Sequence, residues 1–347
     1  MKIIFVFLLT LFLSACSHLG YYWQAVGGQM EIFSKQQSLE DILVNPETSP
    51  ELRKKLEHIQ HVRSFASQKL HLPENDSYKS YVDVKRPYLV WNVFAAPELS
   101  LEPFQSCFLV TGCLAYRGYF NKEDAEQFAD ELKEQGYDVF VAGISAYSTL
   151  GWFDDPVPNT ILHYSDIHIA GLIFHELAHQ KFYVKDDTAF NESFAMAVEL
   201  AGVKQWLQQT GDASVYDGYR NDKQRREQFI DLLMETRKEL KQLYQSDVKN
   251  KKENKSLILK NLKARFKSLK QSWGGDKTYD NWMKQELNNA HFISIGLYHQ
   301  YVPAFERLRG NNNNWSDFFK QVAEIGAMPV KERKRQLENL MNGLSSP

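Results

Sequence analysis

The sequence predicts an α+β fold, with a small sheet in the N-terminal half and a helical second half. Three observations predict it. The chain has 347 residues, 43% hydrophobic and 13% aromatic, enough apolar surface to offset the entropy of ordering one large domain or two smaller ones. Runs rich in aromatic and β-branched residues, with turn signals between them, fall between residues 78 and 144. Beyond residue 160 the apolar residues recur at helical spacing. The same composition excludes whole classes of function. Mean hydropathy is −0.46 and no stretch of about 18 apolar residues occurs, which excludes a polytopic membrane protein. With 41 basic against 43 acidic residues, nothing points to a nucleic-acid partner. Three cysteines cannot build a disulfide scaffold or a cysteine-only zinc site.

The first fifteen residues read as an address. Met1-Lys2 supplies a short positive start, and Ile3 to Leu13 is an unbroken apolar run, too short to cross a bilayer. It ends in Leu13-Ser14-Ala15-Cys16, which resembles the bacterial lipobox; an ordinary secretory signal is the alternative. On the lipobox reading, residues 1–15 are removed and Cys16 becomes the acylated N-terminus, held at a membrane surface by its acyl chains. Ser17, where an aspartate would retain the chain at the inner membrane, favours the periplasmic side of the outer membrane by resemblance to enterobacterial sorting. Export sets the redox context for Cys107 and Cys113. Six positions apart in a strand-rich segment, they are expected to form a hairpin disulfide, against the alternative of two buried free thiols.

Each element has its own signal. Tyr21 to Phe33 is aromatic-rich and predicts a helix packed on the body. Ser49-Pro50 starts a second helix, whose Leu52, Leu56, Ile59, Val62 and Phe65 give it one buried face. The runs 88–95, 104–110 and 113–120 read as two or three strands of a small sheet. Asn121 caps a helix with Ala125, Phe128, Ala129 and Leu132 on one face; Gly136 ends it, and 137–144 is another strand. Residues 16–160 then form the N-terminal subdomain and 161–347 the helical one. Within the latter, residues 220–270 carry 16 Lys/Arg against 7 Asp/Glu and two apolar helical repeats, a basic helical hairpin whose charge reads as a solvated face, with a face toward anionic lipid as the alternative.

One segment carries chemistry. In Phe174-His175-Glu176-Leu-Ala-His179-Gln180 the two histidines lie four apart, so on a helix their imidazoles stack on one face and can share a cation. Glu176 can reach a metal-bound water from beside the first ligand. Two core histidines next to a solvent-facing glutamate is the alternative. Zinc in a catalytic site takes three protein ligands and a water, so a third ligand should follow on another helix. Glu192 and Glu199, seven apart and thus on one helix face, are both candidates.

Asn191-Glu192-Ser193-Phe194-Ala195 with Glu199 resembles the second zinc helix of gluzincin peptidases, the aminopeptidase N-like enzymes above all. That resemblance implies a zincin-like fold, Glu192 as third zinc ligand, and Glu199 behind it orienting a histidine. Over nearly the whole mature chain, segments such as Tyr116-Arg-Gly-Tyr-Phe120, Ala146 to Phe153 and Asn288-Asn-Ala290 resemble a bacterial family assigned as aminopeptidases, mostly with lipoprotein leaders.

The family likeness implies a zinc peptide hydrolase acting on periplasmic peptides, with Glu176 as general base. Gluzincins supply a tyrosine to the oxyanion from a downstream helix, which points to Tyr298; a core tyrosine is the alternative. Residues 146–152 are expected to border extended substrate, or else to form a packed turn. The Gly-x-Met-Glu-Asn strand that binds the substrate amine in aminopeptidase N-like enzymes is absent. The nearest substitute is Asp154 or Asp155, and Asp155, extended before Pro156, is the candidate for that amine; a surface turn is the alternative. The alternatives at the level of function are a zinc endopeptidase and a non-catalytic envelope scaffold. The second has no use for Glu176.

Overall fold

The computed structural model describes residues 20–108, 112–146, 149, 151–210, 213–310 and 314–342. Cys16 and the leader lie outside them. Helix α1 (residues 20–35) leads into strand β1 (Gln37–Ser38) and helices α2 (Leu39–Val44) and α3 (Pro50–Leu70). Strands β2 (Ser80–Val82), β3 (Val90–Pro97), β4 (Ser106–Phe108), β5 (Gly112–Leu114) and β6 (Arg117–Tyr119) follow. Then come α4 (Lys122–Glu134), β7 (Tyr137–Ile144) and β8 (Val157–Pro158). Beyond them lie α5 (Asp166–Lys181), α6 (Thr188–Thr210), α7 (Ala213–Gln245), α8 (Lys251–Ser272), α9 (Asp280–Met283), α10 (Asn289–His299), α11 (Val302–Arg309), α12 (Trp315–Gly326) and α13 (Val330–Met341). The fold is α+β.

Local chemistry sets the helix starts. Ser49 caps α3 by accepting from the Leu52 amide at 3.3 Å, with Pro50 in the first turn. Asn121 caps α4 by accepting from the Glu123 and Asp124 amides, and Gly136 turns the chain with φ at 84°. Strand β3 is central, antiparallel to β6 on one side and to β7 along its full length on the other. Its alternation serves two layers. Trp91, Val93 and Ala95 face α4 through Ala125, Ala129 and Leu132, while Phe94 and Ala96 face α10 through Ala290 and Ile293.

One expectation is corrected. Among the described residues of the runs 104–110 and 113–120, Ser106–Phe108 and Gly112–Leu114 pair with each other and not with β3, and of these two runs Arg117–Tyr119 alone joins the sheet. The disulfide between Cys107 and Cys113, directly opposite in that ribbon, closes it as a separate hairpin.

The largest core crosses residue 160. Leu56, Ile59, Val62 and Phe65 of α3 bury with Ile169, Ile173, Phe174 and Leu177 of α5, and with Phe190 and Phe194 of α6. Helices α11 to α13 close the far side of α6, where Phe305 and Phe318 meet Phe194. The α7–α8 hairpin has a core of its own, including Phe229, Leu240, Leu262 and Phe266. It is stitched to the sheet by polar groups. Lys255 donates to Asp138 and to the Glu98 carbonyl, and Tyr244 donates to Asn289 of α10, whose amide donates to the carbonyls of Pro97, Glu98 and Ser100.

Helix α6 starts against a buried ion pair. Arg333 of α13 donates to Asp187 at 2.8 Å with both side chains buried, and Asp187 accepts from the Phe190 amide. Removing one partner leaves a buried charge uncompensated. Arg333→Met is therefore expected to destabilise the chain by about 3–5 kcal/mol in urea unfolding. A loss below about 1 kcal/mol would show that Asp187 is relieved by solvent instead.

Candidate metal centre

Helices α5 and α6 cross closely because two glycines let them. A Cβ on Gly171 would stand 3.2 Å from Cγ of Glu199, and one on Gly202 would stand 2.7 Å from the Phe174 ring. This approach aims side chains of both helices at one point. Nε2 of His175 lies 3.3 Å from Nε2 of His179 and 3.4 Å from Oε2 of Glu192, and that oxygen is 3.7 Å from Nε2 of His179. Among the described residues these three side chains form a group able to hold a metal ion. A tetrahedral zinc with bonds of 2.0–2.1 Å has ligand atoms about 3.4 Å apart. The observed triangle has that size. Two imidazole nitrogens and a carboxylate oxygen, each able to present a lone pair, converge on one point, a donor set that fits a cation.

Glu199 takes the other place on that face of α6. Its Oε2 lies 3.2 Å from Nδ1 of His175, so an Nδ1 proton held there leaves Nε2 as a lone pair toward the cluster. Arg226 of α7 stands 3.6 Å behind it at Oε1. Among the described residues the buried Nδ1 of His179 has no hydrogen-bond partner, so no bond from that nitrogen orients its ring. At His175 and Glu192 burial opposes the charged form, but pairing wins. Glu192 and Glu199 push His175 up to about 10, and the two histidines pull Glu192 down to about 2. Glu176 lies beside the cluster and differs from them. Burial holds its pKa above the ordinary carboxylate range, against the pull of His175 and His179.

These groups sit at the base of a cleft of about 740 Å³. Its walls are mostly apolar or aromatic: Val90, Asn92, Gly118 and Ile144 from the sheet, and Phe108 and Leu114 from the disulfide hairpin. Trp152 and Phe153 form the rim with Tyr21 and Ala25 of α1. Tyr116 and Tyr183 also line it, and their phenols are kept protonated by burial, reinforced by the Glu192 charge. Of the carboxylates, the described lining contains Glu176 and Glu192 alone.

The structure brings together His175, Glu176, His179, Glu192 and Glu199. It puts Asp155 elsewhere. That carboxylate is buried under the 149–153 turn, accepting from the Thr149 amide at 3.0 Å and from Gln180 Nε2 at 2.9 Å, and it does not line the cleft. Gln180, next to His179, also donates to Ser77 and accepts from Asn75, so this network pins the end of α5 to two loops. Tyr298 lies in α10, and its side chain is outside the described ones. Asn92, Tyr116 and Tyr183 also line the cleft, and no motif in the sequence marks any of the three for that position.

A family model described as "Putative aminopeptidase" matches residues 20–337, the sheet, both metal-site helices and the helices beyond. The chain belongs to this family. No curated protein and no solved structure matches it significantly.

Asp155 supplies a pH test. Burial raises its pKa to about 6 despite the hydrogen bonds from Thr149 and Gln180. A carboxyl whose folded pKa lies above its unfolded value of about 3.9 stabilises the fold below that value and loses the contribution as pH rises through 6. The loss is about 2–3 kcal/mol by pH 7. Asp155→Asn should lack it, so the variant's stability relative to wild type should rise between pH 4 and pH 7. Parallel pH–stability curves for the two proteins would contradict the assignment.

Proposed function

We propose that this family member is a zinc-dependent peptide hydrolase, with His175, His179 and Glu192 holding the metal and Glu176 acting as general base. One observation carries the reading: three buried donor atoms at tetrahedral spacing beside an unshared, proton-hungry carboxylate, at the base of a cleft. Bound there, zinc polarises a scissile carbonyl and brings the pKa of a water toward 7. Glu176, whose pKa is raised by burial, takes the proton of the attacking water and returns it to the leaving amine. Tyr116 and Tyr183 remain protonated and can donate to the developing oxyanion, the role the gluzincin likeness suggests for Tyr298. Glu199 orients His175 and binds no substrate. The paired ligand helices support a zincin-like reading of the fold.

The cleft supports a substrate class. Its walls favour a bulky apolar side chain next to the scissile bond. Asn92, buried on that wall with no side-chain hydrogen bond among the described residues, has its amide available for a substrate peptide group. The family description favours action at a free N-terminus. The lack of a further carboxylate in the described lining favours an endopeptidase as the second reading. The leader supports export and acylation at Cys16, and so action on peptides from the periplasmic side of the outer membrane.

The test is metal content and hydrolysis together. The purified chain should hold about one zinc, lost in the His175→Ala, His179→Ala double variant. Glu176→Gln should keep the metal and lower kcat about 100-fold or more. Glu192→Gln should weaken binding far more than Glu199→Gln; the reverse order would exchange their roles. Stoichiometric zinc in the double histidine variant would overturn the reading. Equal cleavage of free and N-acetylated peptides carrying a large apolar residue would identify an endopeptidase.

A further inference from the structure

Helix α1 is apolar on both sides. Its inner face packs inward through Tyr21, Ala25, Gly28 and Ile32: the first two line the cleft, Gly28 lies against Phe120, and Ile32 is buried. Its outer face should carry charge in a helix that meets only water. It carries Trp23, Val26 and Met30, which are 82%, 59% and 57% exposed and lie at spacings of three and four, with Gly27 and Ser34 on the same stripe. No charged residue falls on that stripe. The apolar surface continues onto the cleft rim. Phe33 meets Phe153 at 4.8 Å between ring centroids, and Phe153 and its neighbour Trp152 are 50% and 69% exposed.

We propose that this surface is a membrane-seating face: the outer stripe of α1, with Trp152 and Phe153, lies in the interfacial layer of a lipid bilayer, and the cleft opens beside it. The occupant follows from the sequence just ahead of the helix. Cys16, the lipidation candidate, stands four residues before the first described residue of α1, a reach of at most about 14 Å when extended. An acyl chain at Cys16 therefore holds this helix at the bilayer surface. Tryptophan with aliphatic neighbours is the side-chain chemistry of that layer. A single point of attachment leaves a protein free to tumble, whereas an added helical face fixes which side meets the lipid. The consequence concerns substrate. A cleft whose rim touches the bilayer receives peptides, or peptide segments of proteins, that emerge from the membrane surface with apolar residues leading.

This inference rests on the acylation reading, and the test separates the two. The full-length gene is expressed so that export and processing occur. The purified product, with the Cys107–Cys113 disulfide intact, is mixed with phosphatidylcholine vesicles. A nitroxide is attached at Val26→Cys, or at Val330→Cys as a control on an equally exposed site of α13. Mass spectrometry of the N-terminal peptide reports acylation independently. At position 26 the accessibility to oxygen should exceed that to a polar nickel chelate several-fold, and position 330 should show the opposite order. Trp23→Asp with Met30→Asp should abolish the difference at position 26 while zinc content stays unchanged. An acylated chain with water-like accessibility at position 26 overturns the seating face and leaves the anchor standing. An unacylated chain with lipid-like accessibility there supports the face and removes the anchor; water-like values in an unacylated chain overturn both. A label at 26 shielded from both reagents identifies a protein partner or a second copy, and overturns the lipid assignment.

Discussion

The close crossing of α5 and α6 is the constraint on which the site depends. Two helices carrying ordinary side chains at the contact would stand too far apart for Glu192 to come within 4 Å of both histidines. Gly171 and Gly202 remove the obstruction from each helix in turn. Gly171 lies one turn before His175, so its missing side chain opens the space that Glu199 uses to reach the far nitrogen of that ring. Every other part of the fold holds this crossing in place. Helix α3 packs behind α5, α11 to α13 pack behind α6, and the Arg333–Asp187 pair fixes where α6 begins.

A cluster of this kind works against stability. His175, Glu176, His179 and Glu192 are four ionisable groups almost without solvent, and each costs free energy to bury. Pairing outweighs that cost for His175 and Glu192 but not for Glu176, whose proton affinity rises despite the pull of both histidines. Such an arrangement persists where a bound ion adds stability by mass action and where an apolar cleft strengthens each electrostatic contact by excluding water. Stability reasoning alone would place hydrophobic residues at all four positions.

The sequence made some of this legible and not the rest, for identifiable reasons. Capped helices with one apolar face were readable because cap and period are local: Ser49 and Asn121 cap the helices they were expected to cap. The histidine pair and its two glutamates were readable because four- and seven-residue spacings on helices fix which side chains share a face. Pairing partners of short strands are not local. Nothing within 104–120 announces that three residues join β3 while the flanking hairpin closes on itself. Asp155 shows the same limit in the site. Pro156 biases its backbone in a way the sequence shows, but its orientation depends on Gln180, 25 residues away, which captures the carboxylate before the cleft can. Asn92 and Tyr183 lie in no motif, and only the folding of β3 beside the end of α5 brings them to one wall.

The two faces of α1 join the site to its setting. Its inner residues complete the cleft wall, so the helix cannot leave without opening the site to water; its outer residues carry the apolar surface onward to Trp152 and Phe153. The turn bearing those rings is itself held by Asp155 and Gln180, immediately after the second histidine. Rim, wall and candidate metal ligands are thus parts of one hydrogen-bonded and packed assembly. A force that seats the rim acts on the end of α5 through three side chains. The contacts that hold the rim in this fold also hold the end of the helix that carries both histidines.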